Sequence, residues 1–365
     1  MSLGKTSRFV TQLHNRYLLK LSGKDTTKFL QGLVTQDVEL LAKQSPKPTL
    51  SYTGLLNKRG RLINEGFLAP LSESCEDWLL DVHPETGPEL VQHLKLFRLR
   101  SRVDISIVSD SYSVWVAPGF QHIEQVIADL IPEKPIVCSL DPRVGRLGLR
   151  FYTPFSKSHN LEENEERYHL WRMIYGIPEG GRDYSFLHSL LFEANLDYLN
   201  GISFSKGCYL GQETAARVKY TGVVRKRIVP VVFSKTENQA IQIAEAMNRF
   251  YESPPCSDGD VTCPILQAKV DNSFVGIDNS NAVVHSQLFA PSNPKAVGKV
   301  TSCSSYPIGL ARVELASAFP NVSSAIGIPL KLEQSEMYAV ALKPFWWPRE
   351  DIEQSPKATQ SEQGA

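Results

Sequence analysis

Along the first 150 residues the apolar positions switch repeatedly between a period of two and a period near four, the signatures of half-buried strands and of helix faces. Arg16 to Leu21 predicts a short strand closed by Ser22-Gly23. Asp25 or Thr26 then offers an N-cap, and Phe29, Leu30, Leu33 and Val34 follow at helical spacing. Tyr52 to Leu68, with Gly54, Asn57, Gly60 and Gly66 among apolar residues, predicts a hairpin that turns at Lys58-Arg59-Gly60. Trp78 to Val82 predicts another strand, and Leu90, Leu94 and Phe97 mark an amphipathic helix with a basic flank of Lys95, Arg98, Arg100 and Arg102. Strands at Val103 to Val108 and Tyr112 to Val116, a helical face at Ile123, Val126, Ile127 and Leu130, and a strand at Leu147 to Tyr152 complete the stretch. From residue 70 to 152 the order is thus strand, helix, strand, strand, helix, strand, which is that of a ferredoxin-like split unit.

Pro154 to Glu166 is polar and acidic and reads as a surface insertion, after which Tyr168 to Tyr175 resumes a helix closed by Gly176 and Pro178. Past Arg225 the pattern changes to short apolar runs at Ile228 to Phe233, Ala296 to Thr301, Gly309 to Val313 and Met337 to Leu342. They predict an antiparallel barrel or sandwich, interrupted by a proline-rich stretch from Ser253 to Pro294. The polar tail from Glu350 predicts disorder. No internal repeat is present.

Length and charge narrow the function. At roughly 100 to 200 residues per domain, 365 residues imply two or three domains. Lysine plus arginine and aspartate plus glutamate both count 39, a balance that argues against a dedicated nucleic-acid binder. No run of 18 apolar residues is present, so no transmembrane segment is expected. The opening segment has no signal-peptide apolar region. It carries Lys5, Arg8, Arg16, Lys20 and Lys24 before the first acid, Asp25, and reads either as the end of a mitochondrial presequence or as a basic domain edge.

The six cysteines, at 75, 138, 208, 256, 263 and 303, form no Cys-x-x-Cys pair and no zinc-finger spacing with histidine. A self-contained zinc site or four-cysteine cluster site is therefore not expected, and a reactive cysteine would act alone or with ligands from elsewhere. The densest chemistry lies in Lys206-Gly207-Cys208-Tyr209-Leu210-Gly211-Gln212-Glu213, followed by Arg217. Two glycines bracket Cys208, so the backbone can turn tightly and admit a close partner. Gln212 to Val218 predicts a helix whose N-terminus, with Lys206 nearby, favours a thiolate, and Glu213 and Arg217 are spaced for an ion pair. The alternative is a small buried cysteine in a tight loop.

Lys-Gly-Cys-Tyr-x-Gly-Gln-Glu resembles the signature of the folate-binding YgfZ proteins, relatives of the glycine-cleavage aminomethyltransferase (T-protein, GcvT). The resemblance extends to Phe29 to Val38, Gly54 to Arg61, Arg172 with Gly176-Ile177-Pro178, Glu193 to Asp197 and Gly298 to Ser302, covering most of residues 9 to 349. Pro344-Phe345-Trp346-Trp347-Pro348 and the inserted loops resemble the mitochondrial branch, whose members assist iron-sulfur assembly. The resemblance implies an α+β, three-domain cloverleaf around a central opening. Residues 7–69 with 167–227 would form a discontinuous N-terminal domain carrying the motif, 70–166 the ferredoxin-like domain and 228–349 a C-terminal antiparallel β-barrel.

For function, the resemblance implies an assembly factor in the mitochondrial matrix, a monomer when free, acting with an A-type carrier in the maturation of 4Fe-4S proteins. A 2Fe-2S cluster takes about four protein ligands, so one useful cysteine points to a cluster shared with a partner, with Cys208 as ligand. Lys206 and the helix N-terminus would stabilise negative charge, and Gln212, Glu213 and Arg217 would hold the loop. The alternative is a folate-dependent one-carbon transferase, with Tyr52, Asn57, Arg61 and Trp171 near a tetrahydrofolate pocket. In the T-protein an aspartate pair follows the hairpin. Here Asn64-Glu65 falls at that place, which argues against aminomethyl transfer, since asparagine is no base and glutamate is one methylene longer. A thiol enzyme using Cys208 would need a base, and no histidine lies within ten residues.

Overall fold

The computed structural model describes residues 8–44, 50–120, 122, 126, 134–155, 165–253, 263–266, 283–291, 293–333 and 335–348. The helical face expected at 123–130, apart from Val126, most of the proline-rich stretch with Cys256, and the tail lie outside them.

The N-terminal half begins with β1 (Thr11–Leu13), β2 (Tyr17–Ser22), α1 (Thr26–Gln31) and α2 (Val38–Lys43). The hairpin of β3 (Ser51–Leu56) and β4 (Leu62–Pro70) leads to β5 (Asp77–Val82), α3 (Gly87–Arg98) and β6 (Asp104–Ile107). These strands make a five-stranded sheet in the order β3-β4-β5-β2-β6. β2 is antiparallel to both β5 and β6, pairing Leu19 with Leu80 and Leu21 with Ile105, so β5 and β6 run parallel on either side of it. α3 is the crossover between them and buries Leu90 and Leu94 on the sheet.

β7 (Tyr112–Ala117), β8 (Val137–Leu140) and β9 (Leu149–Pro154) join β1 in a second sheet, ordered β1-β7-β9-β8. The strands read as one split unit over 70–152 are therefore divided between two sheets. β2 inserts between β5 and β6, and β1, only three residues long, pairs Gln12 with Trp115. An alternation that short carries no readable period.

The two sheets meet at a buried ion network. Asp81 on β5 accepts from Arg16 Nε at 2.6 Å and from the Tyr152 hydroxyl of β9 at 2.8 Å, and it pairs with Arg150. Burial works to raise the Asp81 carboxyl, and the two guanidinium charges outweigh it and hold the carboxyl below its ordinary range. Arg143 forks onto Asp141 and Glu179 at 2.8 and 2.6 Å.

α4 (Glu165–Ile174) contributes Arg172, which pairs with Asp183. After a turn-rich stretch comes α5 (Gln212–Thr221), then β10 (Lys226–Ser234), α6 (Glu237–Glu252), β11 (Gln287–Phe289), β12 (Ala296–Cys303), β13 (Ile308–Glu314), α7 (Leu315–Ala318), β14 (Ile326–Leu332) and β15 (Tyr338–Leu342). The strands close an antiparallel barrel in the order β10-β13-β12-β11-β14-β15. The four runs recognised in the sequence are β10, β12, β13 and β15. α6 was not among the expected elements. It is capped by Thr236 and buries Ala240, Ala244, Met247, Phe250 and Tyr251.

Two of the blocks noted in the sequence tie the barrel to the 167–227 segment. Arg227 at the start of β10 forks onto Asp197 at 2.7 and 2.8 Å, and Asn195 donates to the Ile228 carbonyl at 2.7 Å. The Trp346 indole donates to the Tyr175 carbonyl at 2.8 Å and the Trp347 ring meets that of Tyr198, so these tryptophans clasp the 167–227 segment. Among the described residues no helix is long and apolar enough to cross a membrane.

Candidate functional site

The loop ahead of α5 is seated on the C-terminal end of α1. That end leaves carbonyls without intrahelical partners. The Lys206 ammonium donates to three of the carbonyls there and just beyond: Gln31 at 2.7 Å, Val34 at 2.8 Å and Gln36 at 2.7 Å. The Leu210 amide donates to the Gly32 carbonyl at 3.0 Å. Thr35, fully buried, donates to the Gly201 carbonyl at 2.6 Å and fixes the entry to the loop. The block Phe29 to Val38, noted in the sequence for its helical spacing and its resemblance, is thus the platform of the cysteine loop.

This geometry changes the role expected for Lys206. All three of its N–H donors are used on backbone carbonyls, so it anchors the loop and has no N–H left to donate to Cys208.

The far side of the loop packs on the β3-β4 hairpin. Gly211 has φ +79°, and a Cβ there would lie 2.5 Å from the Asn57 carbonyl oxygen. Gly60, at φ +72°, would place a Cβ 2.6 Å from the Thr214 side chain of α5. Both glycines are required by close approach of hairpin and helix. Gln212 closes the turn, its side chain accepting from the Tyr209 amide at 2.8 Å. The Tyr209 ring lies 5.1 Å from the Lys206 ammonium. Glu213 and Arg217 are exposed on α5, and among the described residues no ion pair joins them.

Between these anchors stand Gly207 and Cys208, both exposed. Nothing lies within 4 Å of where a Gly207 Cβ would be. Among the described cysteines Cys208 is the exposed one, whereas Cys75 and Cys263 are buried and Cys138 and Cys303 are half-buried. Burial pushes the thiols of Cys263 and Cys303 up to about 12, which keeps them protonated at neutral pH. Among the described residues no group of three or more His, Cys, Asp or Glu side chains is placed to hold a metal ion.

The four residues expected near a folate pocket are not brought together as a site. Tyr52 and Trp171 are buried in one apolar cluster, and the Tyr52 hydroxyl donates to Glu65. Asn57 holds the hairpin turn, its side-chain oxygen accepting from the amides of Arg59 and Arg61 at 2.9 and 3.1 Å. The Arg61 guanidinium donates to the His188 carbonyl at 2.7 Å.

The Asn64-Glu65 pair is likewise engaged. Asn64 donates to the His83 carbonyl and the Thr86 hydroxyl at 2.8 and 2.9 Å and accepts from the amides of Glu65 and His83. Glu65 accepts from the Gly180 amide at 2.9 Å, and burial, with the charge of Glu179 adding, pushes its carboxyl up to about 7. Asn64 and Glu65 are thus a hydrogen-bonded part of the interior.

No family model matches the chain. It is 31% identical over 366 residues to the mitochondrial iron-sulfur cluster assembly factor IBA57 homologue of Mycosarcoma maydis, covering 93% of this chain and 85% of that one. The chain belongs to the mitochondrial IBA57 family of iron-sulfur cluster assembly factors. The IBA57 homologue of Dictyostelium discoideum is 30% identical over 67% of each chain. The glycine cleavage aminomethyltransferase T of Bartonella henselae has the same fold, with a TM-score of 0.62 over 93% of this chain and 86% of that structure, at 13% identity. IBA57 family membership and a T-protein-like fold are thus both present.

Proposed function

We propose that this chain acts in iron-sulfur cluster assembly in the mitochondrial matrix, as a monomer when free, and that Cys208 is its ligand to a 2Fe-2S cluster shared with an A-type carrier, on the way to 4Fe-4S proteins. The observation that carries this reading is the isolated exposure of Cys208 on a loop anchored from both sides. A cluster is the cargo here, and it takes about four protein ligands. The described residues offer one exposed thiol and no group of three ligands, so the remaining thiolates come from the partner.

In this reading Lys206 and the Leu210 amide hold the loop, Gly207 leaves room for the partner's backbone, and Gln212 fixes the turn. The residues at the former carboxylate position hold the interior together, which speaks against aminomethyl transfer.

The test is anaerobic mixing of the protein with an A-type carrier, iron and sulfide. A coloured heterodimer with 2Fe-2S absorbance is expected, bleached or strongly weakened by Cys208→Ala. An equally coloured and equally tight complex with the variant removes the ligand role. Calorimetry with tetrahydrofolate tests the alternative, and heat of binding together with a shift in melting temperature would favour it.

A further inference from the structure

α3 ends at Arg98, and Leu99 follows at φ 45° and ψ −113°, a backbone conformation that leucine rarely adopts. That conformation holds the Leu99 side chain 85% exposed, one helical turn beyond Leu96 at 67%. A leucine held in water by a strained backbone, with a second exposed leucine three residues before it, points to a functional surface. The same end of α3 carries exposed Lys95 and Arg98, Arg100 follows Leu99, and exposed Lys58 of the hairpin tip holds its ammonium 5.9 Å from the Phe97 ring. Among the described residues none of these four cations forms an ion pair, whereas the next arginine, Arg102, is paired with Asp25 at 2.9 Å. In a chain with 39 basic and 39 acidic residues, this is a local excess.

The patch is joined to the cysteine loop through rigid contacts. The hairpin that carries Lys58 is packed against Gly211 and Thr214, and Leu210, two residues from Cys208, packs on the same apolar cluster as Phe97. The hairpin and α3 thus belong to the same packed unit as the cysteine loop.

We infer that Leu96 and Leu99, together with Lys58, Lys95, Arg98 and Arg100, dock the protein that shares the cluster, and that this partner presents an apolar patch with an acidic rim. The inference rests on the shared-cluster reading for the identity of the partner, and charge complementarity carries its chemistry. A cluster held by thiolates is anionic, and a basic rim steers an anionic partner and sets its salt dependence.

The experiment measures affinity and cluster absorbance separately, with the A-type carrier as probe at two salt concentrations. The variants are Leu99→Gly, Leu99→Asp, Arg98→Glu with Arg100→Glu, and Cys208→Ala. Leu99→Gly relieves the positive φ, so it is expected to raise stability while weakening carrier binding. Leu99→Asp and the double charge reversal are each expected to weaken binding at least tenfold, and the reversal to flatten its salt dependence. At saturating carrier their 2Fe-2S absorbance persists.

Wild-type affinity in all the surface variants overturns the docking face, even where Cys208→Ala bleaches the cluster. Weakened surface variants with an unbleached Cys208→Ala remove the ligand role and leave the docking face standing. Absence of any wild-type complex overturns both.

Discussion

Lys206 offers the sharpest test of how the cysteine loop is built. Its ammonium makes three hydrogen bonds of 2.7 to 2.8 Å to the carbonyls of Gln31, Val34 and Gln36. Hydrogen bonds to a charged group contribute about 1.5–3 kcal/mol each. Two effects reduce what Lys206→Met should lose. The loop is near the surface, so part of the freed carbonyl surface regains water. The ammonium itself is also held at a desolvation cost, since burial lowers its pKa to about 8. A net loss of about 2–4 kcal/mol is expected, with the apolar stem preserved. It is read by chemical denaturation, and locally by hydrogen exchange at Leu210, whose amide closes the loop on Gly32 at 3.0 Å. A loss below about 0.5 kcal/mol with the Leu210 amide still protected would refute the anchoring role. If Lys206 instead served to hold negative charge at Cys208, Lys206→Met would leave stability intact and slow the alkylation of Cys208.

Three further outcomes follow from contacts elsewhere in the site and interior. Glu65 is held at about 7 against an ordinary 4.5, so between those values the folded chain keeps a proton that the unfolded chain has lost. Relative to Glu65→Gln, wild-type stability should fall as pH rises through that window, by up to about 3 kcal/mol. The difference between the two proteins isolates Glu65 from His83 and His169, which burial holds low and which act in the opposite sense. Parallel denaturation profiles of the two proteins from pH 5 to 8 would count against this. Gly211→Ala must adopt φ +79° with its Cβ 2.5 Å from the Asn57 carbonyl oxygen, and should cost more than about 2 kcal/mol in thermal or chemical denaturation. Asp81→Asn leaves Arg16 and Arg150 without a charge partner in the interior and should cost about 3–5 kcal/mol, read the same way. A loss under 1 kcal/mol would mean that the network is replaceable.

The strands and helices with a clear period were legible: the β3-β4 hairpin, β5, α3, β9 and four barrel strands stand close to where the pattern placed them. Their partners were not. A strand of three residues such as β1 has no period to read, and the insertion of β2 between β5 and β6 is a long-range choice made by burial on both faces. For the site, the sequence left open whether Cys208 is exposed or buried, whereas the tight turn at Gly211 followed from the spacing of the motif. The role of Lys206 did not, because proximity in sequence suggested a partner for the thiol, whereas its side chain reaches back to carbonyls some 170 positions earlier. The Glu213 and Arg217 pair failed for a related reason. Helical spacing permits an exposed ion pair, but such pairs gain little against solvent and side-chain entropy.

The number of ligands also bears on how such a protein would work. A chain that supplied all four thiolates would hold a cluster by itself, and release would require breaking every bond. A chain that supplies one ligand on a rigid loop makes cluster binding conditional on docking, because the remaining ligands arrive with the partner. In that arrangement the loop anchors at Lys206, Leu210 and Gln212 keep Cys208 from paying ordering entropy when the partner arrives. Affinity would then be set by the protein surface around the cysteine, and cluster transfer would need only the loss of one bond together with undocking. Substitutions at Leu99 or Arg100 should therefore change how fast a cluster is handed on without changing its absorbance, whereas substitutions at Cys208 should change the absorbance first.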